Sequence, residues 1–269
     1  MTKKNPINIV QITDTHLYGT PEGTLLKMNT KHSLDRVIEV MSGNEKKIDL
    51  ILATGDIAQD ASQTAYERFI STISDLNIPF HWIPGNHDDV TTMQQVAAGT
   101  AINQKVVSIN NWRFILLDSS IRGQVHGRIA PSELEFLETS LKDMQNADDI
   151  DHCIVCVHHN PVPGTAGWMR DIGLENGPQF FETIGNYSKV KSVIYAHIHQ
   201  ELDFQHKGVR CFCTPSTCIQ FKPNVTGFEL DRLNPGYRSF SLYEDGRIDT
   251  KVVRVTGETF DVDFSSAGY

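Results

Sequence analysis

Long hydrophobic runs, a surplus of basic side chains and an even number of cysteines are all missing from this chain of 269 residues. No apolar stretch approaches the ~20 residues that cross a bilayer, which argues against a membrane-spanning helix. The opening segment MTKKNPINIVQ carries two lysines, but only a short apolar run and no small-residue cleavage pattern follow. It does not read as a secretory signal, and a cytoplasmic location is expected. Lys and Arg number 24 against 33 Asp and Glu, a net charge of -9. That balance argues against a surface that tracks nucleic-acid phosphates. Five cysteines cannot all pair within one chain, which fits a reducing compartment. The chain also lacks G-x-x-x-x-G-K-[ST], G-x-G-x-x-G and G-x-S-x-G, so nucleoside-triphosphate, dinucleotide and serine-hydrolase chemistry find no support.

Cys153 and Cys156 form a C-x-x-C inside HCIVCVHH. That segment reads as a buried strand, where positions three apart face opposite sides. Cys211 and Cys213 share a strand face but have no complementary pair. Buried structural thiols are expected rather than a zinc or redox module.

What is present is a repeated switch from short apolar runs to amphipathic segments. Strands are expected over 7–13, 49–55 and 80–85, and helices over 33–41 and 65–76, which is the signature of βα units. Residues 105–120 read as two strands about Asn110-Asn111. Ser132 and Glu135 have capping-box spacing at the start of a helix over 131–144. CIVCVHH and SVIYAH read as further buried strands, and from about residue 202 the chain turns mostly β, with a hairpin at Asp245-Gly246. No repeat or linker appears. A single α/β domain over 1–269 is expected, its last part (about 202–269) mostly β.

Polar residues cluster where the apolar runs end: Asp14 and His16 in TDTH, Asp56 in TGD, and Asn86, His87 and Asp88 in GNHDD. His158 and His159 follow in VHHNP, then His197 and His199 in AHIH. Binding sites in open α/β sheets form outside the carboxyl ends of strands, so five strand ends aim Asp, Asn and His at one crevice. Side chains two apart on a strand project to the same side, roughly 6–7 Å apart. That spacing suits two ions about 3.5–4 Å apart better than one. The pairs Asp14/His16 and His197/His199 have it, and Asp56 is the natural bridge. Imidazole and carboxylate donors without thiolate suit Mn, Fe or Zn better than Ca or Mg. His159 should face away from His158 if the strand continues, and either support a ligand from behind or play a structural part.

The ordered series D-x-H, G-D, G-N-H-D, H-H and H-x-H resembles the calcineurin-like metallophosphoesterase family. QITDTHL, ATGDIAQD, WIPGNHD, HIHQELD and TPSTCIQFKP look like the bacterial class III 3′,5′-cyclic AMP phosphodiesterases, and the likeness covers nearly the whole chain. The resemblance implies a four-layer α/β/β/α sandwich with two divalent metals, commonly Fe or Mn with Zn compatible, between the sheets. It assigns Asp14, His16 and His199 to one metal and Asp56 to the bridge. Asn86, His158 and His197 go to the other metal, and His87 to the phosphate and the leaving oxygen, with Asp88 orienting the His87 ring. Where the family usually has glycine this chain has Ala196, tolerable only at negative φ.

The expected chemistry is in-line attack on phosphorus by a metal-bridging hydroxide, turning 3′,5′-cyclic AMP into 5′-AMP. Two divalent ions, two ligand carboxylates and a hydroxide leave such a site at about +1, which attracts a phosphodiester despite the acidic chain. Rival substrates are cyclic GMP, a glycerophosphodiester or a phosphomonoester. A rival of another class is a metal-stabilised binding protein, disfavoured because every ligand and His87 are in place. The partner expected is a small cyclic nucleotide, with no nucleic acid and no membrane; monomer and homodimer both stay open. The long segment 160–177 reads as a loop beside the site. Trp168 and Met169 there, with Phe221 and Lys222, either flank a base or anchor the loop.

Overall fold

The computed structural model describes residues 5–268. Along the chain run β1 (Ile7–Ile12), β2 (Thr24–Leu25), β3 (Met28–Asn29), α1 (Thr30–Asn44), β4 (Leu50–Thr54), α2 (Gln63–Ser74), β5 (Phe80–Ile83) and α3 (Val90–Val96). There follow β6 (Val106–Ile109), β7 (Trp112–Leu116), α4 (Pro131–Gln145), β8 (His152–Cys156), a 3₁₀ turn (Gly167–Met169), α5 (Gly177–Gly185) and β9 (Val190–Tyr195). The remainder is β10 (Leu202–His206), β11 (Val209–Cys213), β12 (Gln220–Phe221), β13 (Leu230–Asp231), β14 (Gly236–Leu242) and β15 (Ile248–Arg254).

Two sheets carry the architecture, in the orders β15-β14-β1-β4-β5 and β10-β11-β9-β8-β7-β6. Strands β1, β4 and β5 are parallel, as are β7, β8, β9 and β11. Alternation of apolar side chains gives each sheet two buried faces. Ile9, Leu50 and Leu52 from one sheet meet Phe114, Ile154, Ile194 and Phe212 from the other in the central core. Val10, Ile12, Ile51 and Ala53 face outward onto α1 and α2 through Leu34, Val37 and Phe69. Val155, Val193 and Cys211 face α4 and α5 through Leu137, Leu141 and Phe180. The order of layers is therefore α/β/β/α, as expected.

Cys153 faces the α4/α5 layer and Cys156 the central core, so the C-x-x-C cannot converge on one ligand. All five thiols are free and buried, and burial pushes Cys211 and Cys218 up to about 12.

Helices α1, α2 and α3 begin at Asn29, Ser62 and Asp89, whose side chains accept from the amides of His32, Ala65 and Thr92. The expected Ser132/Glu135 box does not form. Pro131 holds the first turn, so the cap position falls on Ala130 and Ser132 lies inside the helix. Among the described residues no helix is long and apolar enough to cross a membrane.

Candidate metal centre

The carboxyl ends of both sheets' parallel strands meet at one edge of the sandwich. Gln11, fully buried in β1, joins them: its amide donates to Thr54 Oγ1 (2.8 Å) and to the Tyr195 carbonyl (3.1 Å), and its oxygen accepts from Thr214 Oγ1. Just beyond, Ser216 Oγ donates to the Asp14 carbonyl at 2.7 Å and the Thr217 amide to the Thr13 carbonyl at 3.0 Å.

The predicted site residues lie past these strand ends, not on them. β1 stops at Ile12 and β9 at Tyr195, so strand alternation does not place Asp14/His16 or His197/His199. Left-handed backbone does, with φ of 51° at Asp14, 46° at His16, 48° at Asp56, 71° at His197 and 47° at His199. The D-x-H pair consequently converges: Asp14, His16 and His199 present donor atoms within 4.8 Å of one another. The H-x-H pair divides, since His197 joins His158 and His159 in a separate group. Ala196 is absent from the positive-φ positions, as expected; the left-handed residues are the histidines on either side of Ile198.

The donors are aimed inward by groups behind them. His16 Nδ1 lies 2.6 Å from Gln59 Oε1, His158 Nδ1 2.8 Å from the Thr54 carbonyl and His199 Nδ1 2.8 Å from the Ile219 carbonyl. Those oxygens only accept, so each Nδ1 carries a proton and each Nε2 is the atom aimed inward. His16 Nε2 and His199 Nε2 then stand 3.2 Å apart, and His158 Nε2 is 3.3 Å from Asn86 Oδ1. Asp56 Oδ2 lies between the groups, 3.3 Å from His158 Nε2 and 4.0 Å from His16 Nε2.

Among the described residues three buried atoms, Asp14 Oδ1, Asp14 Oδ2 and His197 Nε2, have no hydrogen-bond partner, and Asp14 Oδ1 has His199 Nε2 at 3.3 Å as its ion-pair contact. Orphaned acceptors this deep are costly unless a cation takes them. Burial pulls the His16 and His197 imidazoles down to about 3. It pushes the Asp14 and Asp56 carboxyls up, but His199 and His158 respectively more than offset this and hold both below the usual range. Neutral imidazoles and ionised carboxylates are the forms a divalent ion requires.

The family model for calcineurin-like phosphoesterases matches residues 7–201. The chain belongs to this family. Similar proteins include the 3′,5′-cyclic adenosine monophosphate phosphodiesterase CpdA of Pseudomonas aeruginosa, 40% identical over 97% of this chain and 94% of the relative. The CpdA of Escherichia coli is 38% identical over 98% and 95%. Among solved structures, a dimetal phosphatase from Danio rerio superposes with a TM-score of 0.68, at 13% identity and over 94% and 100% of the two chains. A purple acid phosphatase from yellow lupin gives 0.67 at 14%, over 96% of this chain and 53% of that one. This calcineurin-like phosphoesterase therefore has the family's fold and a dinuclear divalent-metal site.

His87 is half-buried, its amide donates to Asp56 Oδ1 at 2.9 Å and its ring meets the edge of His16 at 5.1 Å. Asp88 ties two loops together instead of orienting His87: its oxygens accept from the amides of Ile57 (3.1 Å), Ala58 (3.0 Å) and Gly85 (2.8 Å). Burial and the nearby Asp56 charge push it up to about 6. His159 does not face away from His158, because the chain has left the strand before it: the two rings lie 4.9 Å apart, and its ring nitrogens are 2.7 Å from Ser119 Oγ (Nδ1) and 3.2 Å from the Val125 carbonyl (Nε2). Trp168 anchors the long loop, packing at 5.1 Å on both Phe221 and Phe228. Lys222 pairs with Glu229 at the surface. Sequence reasoning missed Gln11, Gln59 and Ser216, and read Phe221 only as base contact or anchor. The TPSTCIQF segment carried part of that signal, but Gln11 and Gln59 are ordinary polar residues until the fold brings their partners to them.

Proposed function

We propose that this phosphoesterase hydrolyses 3′,5′-cyclic AMP to 5′-AMP. The observation that carries the substrate is 40% identity, over nearly the full length of both chains, to a protein named for that activity. The reading of the site rests on the donors that converge with the buried Asp14 carboxylate.

Asp14, His16 and His199 would hold one divalent ion, Asn86, His158 and His197 the other, with Asp56 between them. When bound, such a pair supplies Lewis-acid charge and a water of lowered pKa for attack on phosphorus. Iron or manganese is the assignment, with zinc compatible, because the donors are nitrogen and oxygen without thiolate. The cyclic phosphodiester gains one water across its P–O3′ bond, and the departing 3′ oxygen takes a proton. His87, at the mouth of the cluster, is placed to donate that proton and to orient the phosphate. Asp88 keeps His87 in reach indirectly, by pinning Gly85 to the Asp56 loop.

The single-domain reading of 1–269 is supported by the last strands, since β14 and β15 extend the first sheet beside β1 while β10 and β11 extend the second. Five free, buried thiols support a cytoplasmic location.

The test is turnover of cyclic AMP, cyclic GMP, an aryl phosphodiester and an aryl phosphomonoester after loading with Mn or Fe. Cyclic AMP should be cleaved well above the monoester; the reverse order would overturn the assignment. His87→Ala should lower turnover by roughly 10²–10⁴-fold with both metals retained. Loss of a metal instead would make His87 a ligand.

A further inference from the structure

Phe221 lies in β12, outside every motif that supplies a ligand, yet it is buried (1% exposed) against the metal cluster. Its ring lies face to face on His199, with centroids 4.1 Å apart and planes 14° from parallel. Behind it stand Trp168 at 5.1 Å and 83°, and Phe228 at 5.5 Å and 64°. These two rings also meet each other at 5.1 Å, so Phe221 has little freedom to tilt. Its carbonyl is held as well, accepting from Gln200 Nε2 at 3.3 Å.

The hydrogen bond from His199 Nδ1 to the Ile219 carbonyl restrains one edge of the imidazole. It leaves the ring able to swing about that bond, because the outer torsion of a histidine side chain is broad. A flat face at stacking distance removes the remaining freedom and keeps Nε2 pointed at Asp14 and His16. Elsewhere in the cluster, His16 meets His87 edge-on, and His197 is tilted by 50° against His159. An imidazole that binds a divalent cation also becomes electron-poor, which the π-face of a phenyl ring favours.

We infer that Phe221 is a positioning residue for the metal side built from Asp14, His16 and His199, acting through the plane of the His199 ring. The inference rests on His199 being a ligand. It assigns Trp168 and Phe228 the lesser part of backing Phe221.

The test is stepwise Mn²⁺ titration of the chelator-stripped protein, by calorimetry and electron paramagnetic resonance. The parent protein, Phe221→Leu, Phe221→Met and His199→Ala are compared. In both Phe221 variants the binding step that His199→Ala abolishes should weaken roughly 10-fold or more, while the other step stays within error. The two replacements keep apolar volume but remove the flat face, so either one decides the question if the other fails to fold. Proportional weakening of both steps would overturn the inference in favour of simple core packing. Unchanged titrations in both variants would make the stack incidental. If His199→Ala retains both binding steps, the ligand assignment itself falls, and the role given to Phe221 falls with it.

Discussion

Asp14, His16, Asp56, His197 and His199 all occupy the left-handed region, a conformation that costs most residues of order 1–3 kcal/mol and persists where the surroundings enforce it. Asp and His tolerate it better than branched side chains, so the ligand types also suit the backbone that aims them. Gly55 shares the requirement without supplying a ligand. Its φ is +98°, and a Cβ there would lie 2.4 Å from His158 Nδ1 and 2.9 Å from the Gly85 amide. Gly55→Ala should therefore displace the His158 ring, lower the thermal midpoint and reduce bound metal. Calorimetry with metal analysis checks this, and wild-type values in both would contradict it. His158 carries a second expectation. Burial pulls its imidazolium down, but the Asp56 carboxylate at 3.3 Å outweighs that and holds it up at about 9 in the metal-free site. A ligand must be neutral, so loading between about pH 6.5 and 9 should expel about one proton from this residue. Metal affinity should rise with pH across that window. Calorimetric enthalpies in buffers of different ionisation heat count the proton; a count of zero would contradict the pairing.

Elements place the site by where they stop. β1, β4, β5, β8 and β9 all end two or three residues before the first of their functional side chains, and short ties complete the geometry. Asp88 fastens the Gly85 turn to the loop after β4, and Trp168 fastens the 160–176 segment to the β12–β13 arm. The Gly167 amide adds a bond to the Val225 carbonyl at 2.7 Å. Removing the indole in Trp168→Ala should leave the sheets intact and loosen that loop. Limited proteolysis should then cut within 160–176 sooner than in the parent while far-UV circular dichroism is unchanged; equal cleavage rates would show that the indole is not the anchor. The start of α4 shows how local signals compete. Ser132/Glu135 has the spacing of a capping box, but Pro131 has a preset φ and no amide to satisfy, and it takes the first helical position.

The whole molecule packs two sheets face to face and gathers buried carboxylates and imidazoles, with a half-buried amide, at the edge of the sandwich where their parallel strands end. A folded chain that binds cations there, and an unfolded one that does not, must be stabilised by the ions through mass action. Stripping with a chelator should lower the thermal midpoint and Mn²⁺ should restore it. The shift should be roughly 5–10 °C per site at a hundredfold excess over Kd, and a midpoint indifferent to Mn²⁺ would refute a structural contribution. Strand identity, helix identity and the five polar clusters were legible in the sequence because alternation and turn chemistry are local, and Asp, Asn and His declare their chemistry wherever they fall. Tertiary structure alone decided the rest. β14 lies beside β1 across more than two hundred residues, a pairing that no local period encodes. The acceptors that orient His158 and His199 are backbone carbonyls of Thr54 and Ile219, which carry no trace of residue type. The left-handed turns came from loop closure between the sheets, where a strand reading had expected simple alternation. Phe221 looked like any apolar residue until the fold laid its ring on His199.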